Sequence, residues 1–393
     1  MENKNPMANC INPQFQITYS YPVTFTHNAF DKINPTLAHL LRDLGLANSR
    51  IFPVIDENVA KHHPDSWHDL NEYCHHFGFG DLLPAYIFPG GEAAKQTDEH
   101  ISKIYQKVVE HAIDRHSVIL VIGGGAVLDA VGYSAATAHR GIHLIRMPST
   151  VLAQNDAGVG VKNGINFQGR KNFVGTFAPP VAVLNDYSLI KSLCVRDKRA
   201  GIAEAVKIAL IRDQKFFNEL FSQREQLSCF EDKPMKAMIF RCAELHLQHI
   251  ANSGDPFEKG SSRPLDFGHW VAHKLEELSH YRLRHGEAVA IGIALDSLYS
   301  QRSGLLSESD LRRIMILITA LGFDFADSAM LDLNVQQALE EFREHLGGNL
   351  CITLLSGIGQ SIEVVQIDAD LMQACLDELC SKSNFEHLTQ ATN

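Results

Sequence analysis

The feature that constrains the fold most is the unit at residues 117–138, SVILVIGGGAVLDAVGYSAATA. Its branched apolar residues predict a buried strand, three glycines follow directly, and the apolar segment after them has helical spacing. Further strands are predicted within residues 50–59, 85–113 and 141–150, and a glycine turn and a long helix complete the second of these stretches. Strands that alternate with helices favour βαβ units and a mainly parallel sheet. The first half of the chain is therefore predicted to be an α/β, Rossmann-like nucleotide-binding domain.

The second half of the chain has a different pattern. After about residue 195 helical periods dominate, and the strand pattern nearly vanishes except for a small β-ribbon predicted at residues 349–367. A chain of 393 residues is longer than one hydrophobic core usually serves. We therefore expect two domains, an α/β domain at residues 1–192 and an essentially all-helical domain at residues 193–393.

Composition excludes several classes of protein. The formal net charge of −11 argues against nucleic acid as the main partner, because phosphate-backbone binding needs a concentrated basic face. The eight cysteines form no C-x-x-C pair, the first twenty residues lack the apolar core of a signal peptide, and the longest apolar stretch is interrupted by glycines and Asp129. A reduced cytoplasmic protein without a membrane span is the expectation.

Three polar loops follow predicted strands in the first half. Gly123, Gly124 and Gly125 open one helix, Asp56 to Asn58 close an earlier strand, and Gly90 to Lys95 open another helix. Glycines allow close approach to a pyrophosphate, and an acidic side chain can hold a ribose hydroxyl. The spacing is not G-x-G-x-x-G, so a plain strand–helix connection is the alternative. The three loops together favour a nicotinamide dinucleotide.

Three histidines suggest a metal site in the second half. His269 and His273 share one helix face, His285 begins the next apolar segment, and Glu204 sits inside an apolar helical stripe. A buried carboxylate is costly unless paired, and one carboxylate with two or three imidazoles is typical of zinc. Surface or core histidines are an equally good interpretation of this spacing, which also leaves open which two of the three histidines ligate.

Residues 147–180, MPSTVLAQNDAGVGVKNGINFQGRKNFVGTFAPP, are too polar and glycine-rich for a core element, and long loops inside compact domains are usually functional. This stretch resembles the substrate loop of the 3-dehydroquinate synthase-like sugar phosphate cyclases, with the pattern P-[ST]-T-L-L-x-Q-x-D-[AS]-[SG]-V-G-x-K-x-[GA]-x-N and then K-N-x-x-G-x-F. The likeness covers nearly the whole chain, since GGEAAK, GGGAVLD, AEAVK, GHWVAHKLE and RHGEAVAIG follow in family order.

The resemblance implies a role for each matching residue. The metal ligands, normally of zinc with cobalt as an alternative, are Glu204, His269 and His285. The positions implied to bind NAD+ are Asp56, Asn58, Glu92, Lys95, Gly124, Gly125, Asp129, Ser149, Thr150, Leu152, Lys171 and Tyr187. The positions implied to bind the substrate are Arg140, Asp156, Lys162, Lys171, Asn172, Lys207, Asp266 and His273. Within that set, the catalytic residues are Asp156, Lys162, Lys207 and His273.

The implied reaction explains why these parts occur together. The family oxidises a substrate hydroxyl transiently with NAD+, eliminates phosphate, returns the hydride and closes a carbocycle by an intramolecular aldol step. Arg140 corresponds to an arginine that reaches the substrate phosphate across a dimer interface. The resemblance therefore implies a phosphorylated sugar as substrate and a homodimer as the assembly.

The substrate class depends on two cations. Dehydroquinate synthases hold the carboxylate of a sugar acid with a lysine and an arginine, whereas here the lysine region holds His246, Gln248 and His249 and the arginine slot holds Ser262. Arg263, one residue displaced, is a candidate replacement. A site without both cations suits sedoheptulose 7-phosphate, which has no carboxylate. The segments GDPFEKGSSRPLDFGHW at 254–270 and FREHLGG at 342–348 most resemble the 2-epi-valiolone synthase branch, and the missing cation pair is the physical argument that supports this resemblance.

Two other functions are compatible with parts of the pattern. True 3-dehydroquinate synthase is the first alternative. A metal-dependent polyol dehydrogenase is the second, because it shares the two-domain plan and the glycine turn, although it has no use for phosphate-binding groups at Lys162, Lys171 and Asn172. A silent binding protein is disfavoured, since metal, cofactor and substrate residues are retained together.

Overall fold

The computed structural model describes residues 10–96, 98–168, 170–252, 255–257 and 264–381. Its strands are β1 Val23–Thr26, β2 Ile51–Asp56, β3 Tyr86–Phe88, β4 Val118–Gly123, β5 His143–Pro148, β6 Lys162–Phe167, β7 Arg170–Phe177, β8 Ala182–Asp186, β9 Ile352–Gly357 and β10 Gln360–Val364. Its helices are α1 Thr36–Asp43, α2 Glu57–His62, α3 Ser66–Phe77, α4 Asp98–Glu110, α5 Gly125–Thr137, α6 Val195–Arg212, α7 Gln214–Ser222, α8 Arg224–Ser228, α9 Asp232–Asn252, α10 His269–Leu278, α11 His285–Arg302, α12 Glu308–Ala320, α13 Val335–His345 and α14 Ala369–Cys380.

A six-stranded sheet of order β1-β8-β5-β4-β2-β3 organises the first half of the chain, and its neighbouring strands pair in parallel. The chain leaves β2 for β3 on one side and then continues with β4 on the other. In open parallel sheets ligands bind at such a reversal, beyond the carboxyl ends of the strands. The fold therefore directs attention to Asp56 and Gly123, where β2 and β4 end.

The apolar runs form the core because the sheet is covered on both faces. Along β4, Leu120 and Ile122 pack into one cluster, while Ile119 and Val121 pack into the cluster on the opposite face. This is the alternation that strand geometry imposes, and it explains why a strand buried on both faces reads as a continuous apolar run. The predicted α/β class, with a parallel sheet followed by a helical half, is confirmed.

The helical half packs around α6, α10 and α11. Two glycines let α11 pass unusually close to its neighbours: a Cβ on Gly286 would lie 1.9 Å from the Ala200 carbonyl oxygen, and one on Gly292 would lie 2.0 Å from the Gly268 carbonyl oxygen. Since no side chain fits in either place, these contacts fix the start of α11 against α6 and against the turn before α10.

The chain differs from the sequence expectations in two places. The stretch 147–180 is not one long loop, because it forms a π-helical turn, Ala153–Ala157, and then the antiparallel β6–β7 hairpin. The buried positions of β6 include Asn163 and Asn166, so the apolar alternation that identifies a strand is missing. The edge strand β1 was also not predicted individually.

Other expectations are met or stay predictions. The predicted β-ribbon is confirmed as the antiparallel β9–β10 hairpin. The proposed boundary between residues 192 and 193 falls between the short turn Leu189–Ser192 and α6. None of the described helices is long and apolar enough to cross a membrane.

Candidate functional site

Three side chains from three helices converge in the helical half. Glu204 lies in the middle of α6, His269 is the first residue of α10 and His285 is the first residue of α11. One ligand atom from each lies within 4.8 Å of the others. The Nε2 atoms of His269 and His285 are 3.6 and 3.4 Å from Glu204 Oε1. Two imidazole nitrogens and a carboxylate oxygen therefore face a common point.

The remaining nitrogen of each imidazole has a partner of its own. His269 Nδ1 lies 3.1 Å from the Phe267 carbonyl oxygen, and His285 Nδ1 lies 3.0 Å from Glu276 Oε2. Such outer partners fix the tautomer and the ring orientation of metal-binding histidines. Burial by itself lowers the pKa of His285, but Glu276 and Glu204 outweigh it and raise the pKa to about 9.

The surroundings of the Glu204 carboxylate favour a cation at this point. Its side chain is 1% exposed, and neither carboxylate oxygen accepts a hydrogen bond of normal geometry from the described residues. Lys207 Nζ approaches Oε2 to 2.5 Å. Burial would raise the pKa of Glu204, yet Lys207 and His285 lower it to about 2, so the carboxylate is ionised. An ionised buried oxygen beside two imidazoles fits a divalent cation such as Zn²⁺.

A second group of potential ligands overlaps the first. His273, Glu276 and His285 also offer atoms within 4.8 Å of one another. However, Glu276 Oε1 accepts from Lys171 Nζ at 2.9 Å, and Oε2 is the partner of His285. Because both oxygens of Glu276 are committed, the group with Glu204 is the better metal site. Glu276 was missed in the sequence, although its spacing from His269 and His273 places it on the same face of α10.

The predicted cofactor residues of the first half meet at the strand-order reversal. Asp56 Oδ1 accepts from the Asn58 backbone N–H at 2.8 Å, and Asp56 Oδ2 lies 3.5 Å from the Gly124 nitrogen. A Cβ on Gly90 would lie only 2.4 Å from Asp56 Oδ1. The loop after β3 can therefore approach the Asp56 carboxylate this closely only because it carries glycine there. α5 begins after Gly124 without a side-chain cap. Free N–H groups and a neighbouring carboxylate fit a dinucleotide pyrophosphate and ribose.

A polar chain connects this crevice to the β6–β7 hairpin. Lys95 Nζ is buried and donates to Asp129 Oδ2 at 2.6 Å and to Asn172 Oδ1 at 2.8 Å. The Asn172 backbone N–H donates to Asn166 Oδ1, and Asn166 Nδ2 donates to Glu92 Oε1 at 3.3 Å. The structure thus joins residues predicted for cofactor and for substrate in one network.

The residues that follow β5 lie beside the glycine elbow. The Ser149 backbone N–H donates to the Gly123 carbonyl oxygen at 2.9 Å, and Thr150 Cγ2 is 3.3 Å from where a Cβ on Gly124 would stand. Leu152 packs against α6 instead, because its backbone nitrogen would lie 2.4 Å from a Cβ on Gly201. This segment therefore connects the cofactor crevice to the helix that carries Glu204.

Asp156 connects the π-helical turn to the metal cluster. Its Oδ1 lies 2.8 Å from Nδ1 of His246 in α9. Burial and Glu204 raise the pKa of Asp156, but Lys207 and His246 outweigh them and lower it. His246 was predicted only as part of a vacant lysine region, so its contact with Asp156 is a new feature of the site.

Three residues that were predicted to bind the substrate, Lys162, Asp266 and Arg140, lie in different surroundings. Lys162 is exposed at the start of β6, and Asp266 is half-buried in the turn before α10, where its charge helps to raise the pKa of Lys207 against the effect of burial. Arg140 is exposed beyond the carboxyl end of α5, whose thirteen residues place it about 20 Å from Gly125. The fold of one chain therefore does not bring Arg140 to the glycine elbow.

Tyr187 was predicted as a cofactor position, and Ser262 and Arg263 were predicted to bear on the substrate class. Tyr187 packs against Phe25 and donates from its hydroxyl to the Lys236 carbonyl oxygen at 3.5 Å, so its contacts include β1 and α9. Ser262 and Arg263 lie outside the described residues. The assignment of individual residues to NAD+, substrate or metal stays a prediction.

The chain is similar to proteins of one family. Residues 85–200 match the family 3-dehydroquinate synthase N-terminal, and residues 201–345 match 3-dehydroquinate synthase C-terminal. The 3-dehydroquinate synthase of Geobacillus kaustophilus (strain HTA426) is 34% identical over 347 residues, covering 87% of this chain and 91% of the relative. That of Shewanella pealeana is 31% identical over 366 residues, covering 92% and 96%.

A solved structure gives the corresponding likeness in three dimensions. The 2-epi-5-epi-valiolone synthase ValA of Streptomyces hygroscopicus subsp. jinggangensis 5008, with NAD+ and Zn²⁺ bound, has a TM-score of 0.84 and 26% sequence identity. The match covers 95% of this chain and 100% of that chain.

Proposed function

The chain belongs to the 3-dehydroquinate synthase family, and on that premise we propose that this sugar phosphate cyclase converts sedoheptulose 7-phosphate into a C7 cyclitol of the 2-epi-valiolone type. The cofactors are NAD+ and a divalent metal, as in the solved relative. When bound, they supply reversible hydride transfer and polarisation of a substrate hydroxyl.

The residues of the chain divide the remaining work. Glu204, His269 and His285 hold the metal, while Asp56, Gly124 and the start of α5 hold the dinucleotide. The pKa of Lys207 is raised, since Glu204 and Asp156 outweigh the effect of burial, so Lys207 stays protonated. As an ammonium group it donates hydrogen bonds to substrate oxygens.

Proton handling falls to His273. Its ring centroid is 5.6 Å from that of His269 and 5.9 Å from that of His285, and its side chain faces the exposed side of α10. From there an imidazole can take the proton that the substrate loses and pass it to the departing phosphate. We assign the orientation of that phosphate to Lys162, Lys171 and Asn172 of the hairpin.

The substrate class rests chiefly on the contact between His246 and Asp156. In the region where dehydroquinate synthases carry a carboxylate-binding lysine, His246 Nδ1 is 2.8 Å from Asp156 Oδ1. A substrate carboxylate placed here would face the ionised Asp156, and the lysine that holds such a carboxylate in dehydroquinate synthases is missing from this region. A hydroxymethyl group carries no such penalty, which favours sedoheptulose 7-phosphate over a sugar acid.

3-Dehydroquinate synthase is the second candidate. The observation that favours it is the name of the curated relatives, which share 31% and 34% identity over most of their length. Its substrate would require a cation from outside the described residues, and Arg263 is the candidate.

The assembly is part of the proposal. Arg140 is exposed beyond the carboxyl end of α5, and from the family resemblance we assign it to the substrate phosphate in the site of a second copy. A homodimer in which each chain lends Arg140 to its partner satisfies this assignment.

The function is tested by phosphate release from zinc-loaded protein with NAD+, using sedoheptulose 7-phosphate or the sugar-acid phosphate that leads to 3-dehydroquinate, with absorbance recorded for NADH. Phosphate from the first sugar without NADH accumulation is the expected result. Phosphate only from the sugar acid would identify a 3-dehydroquinate synthase, and NADH without phosphate would identify a dehydrogenase.

A further inference from the structure

A buried cation lies beneath the segment that connects Asp156 to the β6–β7 hairpin. Arg146, in the middle of β5, is 0% exposed. Burial lowers the pKa of its guanidinium, although arginine stays charged in proteins. All its described hydrogen bonds go to neutral oxygens, and no ion pair with a carboxylate is found among the described residues. A buried charge without a carboxylate partner is costly unless it is well hydrogen-bonded.

The partners of Arg146 lie within six residues of the chain. Nη1 donates to the carbonyl oxygens of Gly158 and Gly160 at 3.2 and 2.8 Å. Nη2 donates to the Lys162 carbonyl oxygen at 3.1 Å and to Asn163 Oδ1 at 2.5 Å. The planar fork of a guanidinium can serve four such acceptors at once, which a lysine ammonium cannot do in this geometry.

The five consecutive carbonyls at residues 158–162 are all satisfied. Arg146 serves three of them, the Tyr21 hydroxyl donates to the Val159 carbonyl at 2.8 Å, and the Ala178 N–H donates to the Val161 carbonyl at 3.0 Å. A segment that made regular secondary structure would satisfy most of these groups by itself. Its course is therefore set by side chains from β5 and from the residues before β1.

Asn163 extends the same contact to the far strand of the hairpin. Its Nδ2 donates to the Ala178 carbonyl oxygen at 3.0 Å, while its Oδ1 would lie 1.9 Å from a Cβ on Gly132 of α5. Arg146 thus holds the base of the hairpin against a helix position that tolerates only glycine.

The held segment has a functional residue at each end. Asp156 precedes it and is tied to His246, and Lys162 closes it at the start of β6. We propose that Arg146 is a positioning residue that fixes the separation of Asp156 and Lys162 and thereby sets the rate of turnover. This inference rests on the proposed function, which makes those two residues substrate contacts. Arg146 touches neither the metal ligands nor the dinucleotide loops in its described hydrogen bonds.

The test compares Arg146→Lys with a milder variant and with a matched control. Tyr21→Phe removes only the hydroxyl that serves the Val159 carbonyl, on the same segment. Arg50→Lys is the control. Arg50 also donates to backbone carbonyls, those of His111 and Ala112, at 2.9 and 3.1 Å. It directly precedes β2, so it lies at the amino ends of the strands, opposite the carboxyl ends that face the site.

Phosphate release from sedoheptulose 7-phosphate, NAD+ affinity, zinc content, melting temperature and hydrogen exchange of the peptide 157–164 are measured for each variant. We expect kcat to fall about tenfold or more for Arg146→Lys and less for Tyr21→Phe, because small misplacements of positioning groups act on kcat. NAD+ affinity and zinc content should stay at wild-type values, and exchange should accelerate in that peptide. Arg50→Lys should lower the melting temperature and leave kcat unchanged.

The inference is overturned if Arg146→Lys and Tyr21→Phe lose thermal stability as Arg50→Lys does but keep wild-type kcat and wild-type exchange at residues 157–164. If the wild-type protein releases phosphate from neither sugar, the proposed function fails, and the exchange comparison still decides whether Arg146 holds the segment.

Discussion

Glu276 lies between the metal cluster and the substrate hairpin, because its Oε2 is 3.0 Å from Nδ1 of His285. Its other oxygen accepts from Lys171 Nζ at 2.9 Å, and its side chain is 5% exposed. Burial by itself lowers the pKa of Lys171, but Glu276 and Glu92 outweigh it and raise the pKa. One buried carboxylate therefore contacts both the imidazole predicted to bind the metal and the lysine of the hairpin.

Glu276→Gln should weaken the affinity for Zn²⁺ about 10–100-fold, the usual cost of losing an outer-shell carboxylate. The amide leaves the imidazole less basic and places an uncharged group opposite Lys171. Competition with a chromophoric chelator measures the affinity. Glu277→Gln is the control, because Glu277 is 64% exposed on the same helix. Equal affinity for both variants would show that Glu276 does not orient His285.

Lys207→Met should destabilise the metal-free protein by about 3–5 kcal/mol, because it leaves the buried carboxylate of Glu204 without its cation. With Zn²⁺ bound the loss should be much smaller, since the metal offsets the same charge. Urea unfolding with and without Zn²⁺ measures both values. Lys274→Met, which breaks pairs with the exposed carboxylates of Glu277 and Glu341, should cost at most about 1 kcal/mol for each pair in either state. Equal destabilisation of Lys207→Met with and without zinc contradicts the assignment of Glu204 as a ligand.

Asp296 should make stability depend on pH. It is fully buried, accepts from the Gly268 N–H and Trp270 Nε1 at 2.9 Å each, and burial outweighs both bonds to raise its pKa to about 7. Between its ordinary value of 3.8 and about 7, the folded state keeps a proton that the unfolded state has released. The free energy of unfolding therefore falls as pH rises through this window.

Asp296→Asn removes that titration, so the decline between pH 4 and 7 should become shallower than in the wild type. Urea unfolding at several pH values measures the slope, and Asp332→Asn, at an exposed position, should leave it unchanged. An identical slope for Asp296→Asn and wild type would show that Asp296 titrates normally in the fold.

The proposed sharing of Arg140 between two chains predicts complementation between two inactive variants. Arg140→Ala and Lys207→Met should each abolish phosphate release alone. After subunit exchange, half of the dimers are mixed and each has one complete site, so roughly a quarter of wild-type activity should return. No recovery after verified exchange would mean that Arg140 does not act in the partner's site.

The sequence alone allowed the class of fold and much of the site to be predicted, because these depend on local patterns. Apolar runs closed by polar loops predicted β2, β4 and β5, and the stripe around Glu204 indicated a paired carboxylate. The spacing of three histidines could not decide which of them face Glu204. That choice depends on the turn between α10 and α11, which directs Nε2 of His285 toward the carboxylate.

The features of the site that the sequence did not predict are contacts between residues that are far apart in the chain. His246 reaches Asp156 across 90 positions, and Arg146 is a lone charge in an apolar strand whose acceptors are backbone carbonyls. No periodicity encodes such pairs. The β6–β7 hairpin escaped prediction because Ile165 is the one apolar side chain among the buried positions of β6, and the asparagines beside it pair with backbone and neighbouring side chains.

We propose that His246, which lies against Asp156 in the region of the carboxylate-binding lysine, leaves the site without the cation that a substrate carboxylate needs. The measurement that tests it most directly is the ratio of kcat/KM for sedoheptulose 7-phosphate to kcat/KM for the sugar-acid phosphate, with zinc-loaded protein and NAD+. We predict that this ratio is about a hundred or more in favour of sedoheptulose 7-phosphate, because an unpaired carboxylate in a closed site costs several kcal/mol. A ratio below one would contradict it and show that a cation, with Arg263 as the first candidate, holds the carboxylate of a true 3-dehydroquinate synthase substrate.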